Sequence, residues 1–195
     1  MGNSISATIV ALAVCVCTST ESHAQSPQPK DSTPTFSLFG GTALDQYGPS
    51  RSGLTNFEFG GSGDFRLRSL PVPLRVTLAF RQQNPYDAGP LKFGTLSLDA
   101  VGKPIPRIFG VQPYLLGGLG VGTRAEYDAA FYTLVDGQFT TAGLRHIPRH
   151  SWAFAEGGVG LELGRHLFVQ TKFMVPVASQ GQIVMPFSVG FRFWD

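Results

Sequence analysis

The sequence predicts an all-β chain, an eight-stranded antiparallel up-and-down transmembrane β-barrel over residues 35–195. Three observations carry this expectation. Stretches of about ten residues alternate apolar side chains with small or polar ones. The connections between the stretches are short on one side and long on the other. Charged residues inside the stretches fall on the face opposite the apolar one.

Before the first stretch comes an apolar run from Ile5 to Val14, then Cys15 and Cys17, then Ser22-His23-Ala24. Small residues stand at the two positions a signal peptidase reads, so residues 1–24 read as a secretory signal peptide, too short to span a bilayer as a helix. No Lys or Arg precedes the run. Two other readings stay open: Met1-Gly2 with Ser6 fits an N-myristoylation pattern, and Leu12-Ala13-Val14-Cys15 is close to a lipoprotein box with a bulky Val14. Both cysteines lie in this segment, so beyond it neither disulfides nor thiolate-bound metals are available. All 15 Lys and Arg lie beyond it, and of the 13 acidic residues only Glu21 lies within. The resulting mild positive balance argues against a nucleic-acid partner. Residues 25–34, carrying Pro, Ser and Gln, read as a disordered lead. The 24 Gly, 14 Pro and 16 Phe fit many short strands joined by turns, and no amphipathic helical stretch of useful length is present.

The first strand is expected over residues 35–44. The second, 54–67, sets Thr55, Phe57, Phe59 and Phe65 against Asn56, Glu58, Ser62, Asp64 and Arg66. In the third, 73–82, Leu74, Val76, Leu78 and Phe80 alternate with Arg75, Thr77, Ala79 and Arg81. The fourth, 91–100, is less regular, with Leu96 and Leu98 opposing Ser97 and Asp99. The fifth spans 108–122. The sixth, 151–163, sets Ala153, Ala155, Val159, Leu161 and Leu163 against Glu156 and Glu162. The seventh, 167–177, sets Leu167, Val169, Phe173 and Val175 against Gln170 and Lys172. The eighth, 183–194, is the clearest: Ile183, Met185, Phe187, Val189, Phe191 and Phe193 alternate with Ser188, Gly190 and Arg192. Successive side chains on a strand point to opposite sides, so each segment has one apolar face. Pro113 and Pro186 remove ladder donors and are expected near strand ends or bulges.

Connections 69–72, 101–107 and 164–166 are short, whereas 45–53, 83–90 and above all 123–150 are longer; the last, 178–182, is short again. A soluble sandwich has no reason to sort its loops in this way, whereas a membrane barrel does. Nine charged residues of the regular strands, Glu58, Asp64, Arg66, Arg75, Arg81, Glu156, Glu162, Lys172 and Arg192, oppose the apolar face. Lipid enforces such sorting, since a basic residue facing mid-bilayer hydrocarbon costs roughly 2–4 kcal/mol. Eight strands enclose an interior about filled by side chains. The interior network expected from Glu58, Arg75, Arg81, Glu156, Glu162, Lys172 and Arg192 therefore reads as a salt-bridged plug in preference to an ion path, because buried charges need partners.

Gly117-Gly118-Leu119-Gly120-Val121-Gly122 is superficially like a phosphate-binding loop, but no helix follows it and no lysine is in place. Glycines side by side in the fifth and sixth strands would instead ease curvature and make room for aromatic neighbours. His146 and His150 are spaced i, i+4, but Pro148 between them argues against the helix a metal pair would need. Nothing in the sequence points to a catalytic residue, a bound metal or a cofactor. In the longest loop, Tyr132–Val135 and Gln138–Thr141 flank Asp136-Gly137, a two-residue hairpin signal. Tyr127, Phe131, Tyr132 and Phe139, with Arg145, His146 and Arg149, form the candidate contact surface, because loops on rigid scaffolds carry binding.

Tyr114-Leu115-Leu116-Gly117-Gly118-Leu119-Gly120, Gly157-Gly158-Val159-Gly160-Leu161 and the terminal Phe187–Phe193 together give a pattern that resembles the small outer-membrane β-barrels, of OmpA and OmpX type, of Gram-negative bacteria. The resemblance implies an integral outer-membrane protein in contact with lipid and lipopolysaccharide, whose C-terminal strand is read by the barrel assembly machinery. Here Phe193 is followed by Trp194-Asp195, where the family ends on the aromatic. The family also includes a lipid A deacylase that uses a His and a Ser near the outer rim. Here His150 and Ser151 are adjacent and would face opposite ways on a strand, although His150 with Glu156 and a hydroxyl from elsewhere remains open. The leading expectation is a non-enzymatic structural or surface-interaction protein with a closed polar interior and a long third extracellular loop. A small-solute, porin-like channel and a lipid A-modifying enzyme are the alternatives.

Overall fold

The computed structural model describes residues 34–45, 56–67, 70–83, 91–135, 138–177 and 183–193. The expected signal segment and nearly all of the expected lead lie outside these residues. Ten strands follow in chain order: β1 (Thr35–Asp45), β2 (Phe57–Phe65), β3 (Leu74–Gln83), β4 (Leu91–Gly102), β5 (Val111–Arg124), β6 (Tyr127–Val135), β7 (Gln138–Ile147), β8 (His150–Leu163), β9 (Leu167–Pro176) and β10 (Val184–Phe193). Eight of them close into a barrel in the order β1-β10-β9-β8-β5-β4-β3-β2, and β6 and β7 form a separate two-stranded ribbon. All pairings are antiparallel, and closure comes from β1 against β10, where Phe36 opposes Phe193 and Asp45 opposes Val184. A closed barrel leaves no unpaired sheet edge, which is what a chain in hydrocarbon requires.

The alternation read from the sequence becomes a solvent sorting in three dimensions. Exposed side chains on the outer face include Phe36, Leu38, Phe59, Leu78, Leu96, Leu119, Val159, Phe173, Phe187 and Phe191. Among the outward positions of the eight barrel strands, Lys92 alone carries a charge, at the second residue of β4 and thus at the rim. An apolar belt of this extent on a water-soluble monomer would far exceed the few hundred Å² such proteins expose. The two strand prolines sit where the ladder tolerates them. Pro113 lies beyond Leu115, the last β5 residue paired to β4. Pro186 falls in a gap of the β10–β9 ladder between Val184 and Phe187.

The region expected as a loop hairpin over residues 132–141 is longer than its turn signal suggested. Residues 127–135 pair with 138–147 from Tyr127↔Ile147 to Val135↔Gln138, with one register shift between Phe131 and Tyr132. The register is the same one that joins β5 to β8, where Arg124 opposes His150 and Val111 opposes Leu163. β5 with β6, and β7 with β8, therefore make one hairpin that leaves the barrel wall without changing register. Only residues 125–126 and 148–149 interrupt it, and Ala125 stays tied to the wall through its N–H to the Lys92 carbonyl at 2.9 Å. At about 3.3 Å per residue, β6 carries the ribbon on the order of 30 Å beyond that point.

Candidate functional site: the charged barrel interior

Inward positions are supplied by alternate residues of each strand, and the register stacks them in layers. Nearest the connections that follow β1, β3, β5 and β9 (the loop end), the filling is apolar: Ala43, Phe154, Met174 and Val184 pack with Trp152. Phe93 meets Trp152 edge-on at 6.1 Å, and His150 stacks on Trp152 at 6.1 Å. Below this lid the interior is charged. The Arg81 guanidinium donates to Glu58 Oε2 at 2.6 and 3.0 Å, and Ser188 Oγ donates to Glu58 Oε1 at 3.3 Å.

At the middle, Lys172 Nζ donates to Glu156 Oε1 at 2.8 Å and to Asp99 Oδ2 at 3.0 Å, with all three side chains buried. One ammonium thus sits between two carboxylates. Further toward the opposite, turn end, Arg75 holds Asp64 through two parallel bonds of 2.6 and 2.9 Å and donates to Gln170 Oε1 at 3.2 Å. Its guanidinium also lies 5.2 Å from the Tyr114 ring centre, while the Tyr114 hydroxyl donates to Gln170 Oε1 at 3.0 Å. Planar pairing with a carboxylate and stacking on an aromatic ring are both properties of arginine, not of lysine. At the turn end Glu162 gathers Arg192 at 2.9 Å, Lys103 at 2.8 Å and Arg107 at 3.5 Å.

All seven residues singled out in the sequence for an interior network therefore point inward and carry ion pairs. Their partners Asp64 and Asp99 belong with them, and Lys103 and Arg107 reach in from the β4–β5 turn. Arg66 does not: it lies past the end of β2 and is exposed. Each carboxylate except Asp64 is almost wholly buried, so these pairs stand or fall as units.

The interior aromatics were not legible from alternation, because an apolar residue pointing inward looks out of phase. Their signal is a glycine directly across the ladder: Tyr114 opposes Gly160, Phe154 opposes Gly120 and Phe168 opposes Gly190. A Cβ at Gly160 would fall inside the Tyr114 ring, and one at Gly190 inside the Phe168 ring. Each ring's far end takes up the space that a side chain on the opposing glycine would need, the arrangement by which aromatics shield strand glycines. The glycine motif thus serves packing, as expected.

The candidate catalytic group does not assemble. Ser151 points outward and donates to Thr123 Oγ1 at 3.2 Å, His150 points inward against Trp152, and Glu156 is held by Lys172. His150 and Glu156, six residues apart on one strand, are separated by on the order of 20 Å. Among the described residues no cluster of three His, Cys, Asp or Glu side chains is placed to hold a metal. On the ribbon, Tyr127 lies under the Arg124 guanidinium at 5.0 Å, and His146 approaches Asp128 at 3.1 Å and Glu126 at 3.8 Å. Arg145 and Arg149 are exposed. Phe131 opposes Gly143, Tyr132 opposes Thr141 and Phe139 opposes Leu134 along the register.

No protein-family model matches the chain, and no curated protein matches it either. Similar solved structures include the N-terminal β-barrel domain of Pseudomonas aeruginosa OprF, at 15% identity and TM-score 0.45, covering 82% of this chain and 97% of that one. Neisserial surface protein A gives 14% identity and TM-score 0.44 over 82% of this chain and 94% of its own. The Yersinia pestis outer membrane protein Ail, in a phospholipid bilayer nanodisc, gives 16% and 0.43 over 83% and 100%. The eight-stranded architecture itself stands on this chain's own closed ladder.

Proposed function

We propose that the chain is an integral outer-membrane barrel that acts without catalysis, as a rigid platform presenting the β6–β7 ribbon at the cell surface. The observation that carries this reading is the unbroken register from the β5–β8 wall into the ribbon. A binding surface on such an extension loses little freedom on engagement, which is how preorganisation raises affinity. The charged, layered interior supports a platform that does not conduct, since Arg75, Arg81, Lys172 and Arg192 are each ion-paired across it. In this reading Arg145 and Arg149 meet lipopolysaccharide phosphates. The aromatic positions Tyr127, Phe131, Tyr132 and Phe139 serve a partner outside the cell, and β10 is the strand offered to the barrel assembly machinery.

Fractionation tests the location: the chain should co-sediment with the outer membrane and show heat-modifiable gel mobility. Planar-bilayer recording tests the interior. The wild-type barrel should show no steps above baseline, and steady single-channel currents would replace the platform with a channel. Glu156→Ala should raise conductance only if the network acts as a gate.

A further inference from the structure

The turn end of the barrel is built unlike the loop end. Its three connections, 66–73, 103–110 and 164–166, hold Arg66, Arg68, Lys103, Arg107 and Arg165 and contain no Asp or Glu. Lys103, Arg107 and Arg192 gather on Glu162, and Arg192 also lies 3.7 Å from Asp64, which Arg75 already holds, so four cations meet two carboxylates there. The β4–β5 turn is also apolar: Ile105 and Ile108 are exposed, and Phe109 is fully exposed on a positive φ of 49°. Beside this turn a groove of about 480 Å³ runs over the outer face of β5, β8 and β9, lined by Pro104, Ile105, Leu115, Val159, Leu161 and Val169. Its size falls in the roughly 300–1,000 Å³ range of small-molecule sites. Lys103 and Arg107 lie on the same β4–β5 turn as Pro104 and Ile105, partly exposed with their head groups on Glu162, and Arg165 lies on the β8–β9 turn.

We propose that this end holds an anionic glycerophospholipid of the leaflet that faces the turns. One acyl chain lies in the groove and the phosphate meets Lys103, Arg107 and Arg165. The inference rests on the membrane placement proposed above. The groove supplies apolar area in the half of the belt nearest the turns, and the cations stand where a headgroup would begin. The unpartnered apolar turn between them would insert among acyl chains. A zwitterionic lipid would fill the groove equally but gain less from the cations, so headgroup charge is the discriminating property.

Native mass spectrometry of the full chain in a neutral detergent, titrated with dioleoyl phosphatidylglycerol or dioleoyl phosphatidylcholine, tests it. The wild-type chain should retain one phosphatidylglycerol at least about fivefold more tightly than phosphatidylcholine. Lys103→Gln with Arg107→Gln should lower phosphatidylglycerol retention by at least about fivefold, to near the phosphatidylcholine level. Val169→Trp, which fills the groove with an apolar side chain, should weaken both lipids, while Leu119→Trp on the loop-ward half should change neither. Heat-modifiable mobility reports folding in each variant. If the double variant fails that check, Arg165→Gln leaves the Glu162 cluster intact and should lower phosphatidylglycerol retention by itself. Equal retention of the two lipids by wild type, or retention untouched by both the charge and the groove variants, overturns the proposal. A chain that stays soluble and monomeric without detergent overturns the membrane placement first, and the two failures are read from separate measurements.

Discussion

Replacing Lys172 with methionine keeps the volume of the side chain and removes its charge. In the wild type the ammonium lies 2.8 Å from Glu156 and 3.0 Å from Asp99, and Lys172 is 6% exposed. Without it, two carboxylates face one another at the centre of the barrel with no cation between them. Stripping one partner from a buried ion pair costs about 3–5 kcal/mol, and here a single substitution strips two. That is a large share of a stability in the usual range of about 5–15 kcal/mol. Urea unfolding in detergent micelles, followed by tryptophan fluorescence and heat-modifiable mobility, should show a loss of at least about 3 kcal/mol. The triple variant Lys172→Met, Asp99→Asn, Glu156→Gln should recover most of it, because neutral amides hydrogen-bond each other where carboxylates repel. A loss below about 1 kcal/mol for the single variant, the worth of an ordinary exposed pair, would show that the charges are solvated and that the layered plug is not the state in the membrane.

Leu119→Arg places a cation on the outer belt and should destabilise the bilayer-inserted chain by about 2–4 kcal/mol; a neutral effect in lipid vesicles would mean that this face meets water. Gly160→Val should prevent the Tyr114 ring from lying over β8 and abolish the heat-modifiable form, and adding Tyr114→Ala should restore it in part. Replacing residues 127–147 by a short turn should leave the unfolding free energy within about 1 kcal/mol of wild type, while removing any surface adhesion measured with whole cells. Arg75→Lys should destabilise by about 1–3 kcal/mol in the same unfolding assay, since an ammonium cannot make the two parallel bonds to Asp64 or stack on Tyr114; equality with wild type would show that point charge alone suffices there.

The barrel was legible because an apolar outer face and a filled polar interior impose opposite demands on alternate residues. β3 and β10 carry that contrast at nearly every position, and their expected bounds differ from the observed ones by about a residue. β4 was harder, since Gly94, Thr95 and Ala100 blur the contrast, and Asp99 was accordingly missed as a partner of Lys172. The ribbon base went unread for a related reason. Asp128-Ala129-Ala130 and Leu144-Arg145-His146 do not alternate, because this part of the hairpin leaves the environment that sorts side chains. Only the Asp136-Gly137 turn signalled it. The interior pairs were legible as a set of charges but not as partners, because pairing depends on barrel stagger, which no single strand encodes.

The shared register of wall and ribbon has a mechanical corollary. A load applied beyond Val135 and Gln138 is passed strand to strand into the β5–β8 seam, with the break at residues 125–126 and 148–149 and the Phe131/Tyr132 irregularity as its yielding points. The tip therefore inherits the tilt of the seam, and a one-residue insertion below that irregularity would turn the ribbon to face the other way. What this barrel carries is less a tether than a mast whose heading is set by the wall.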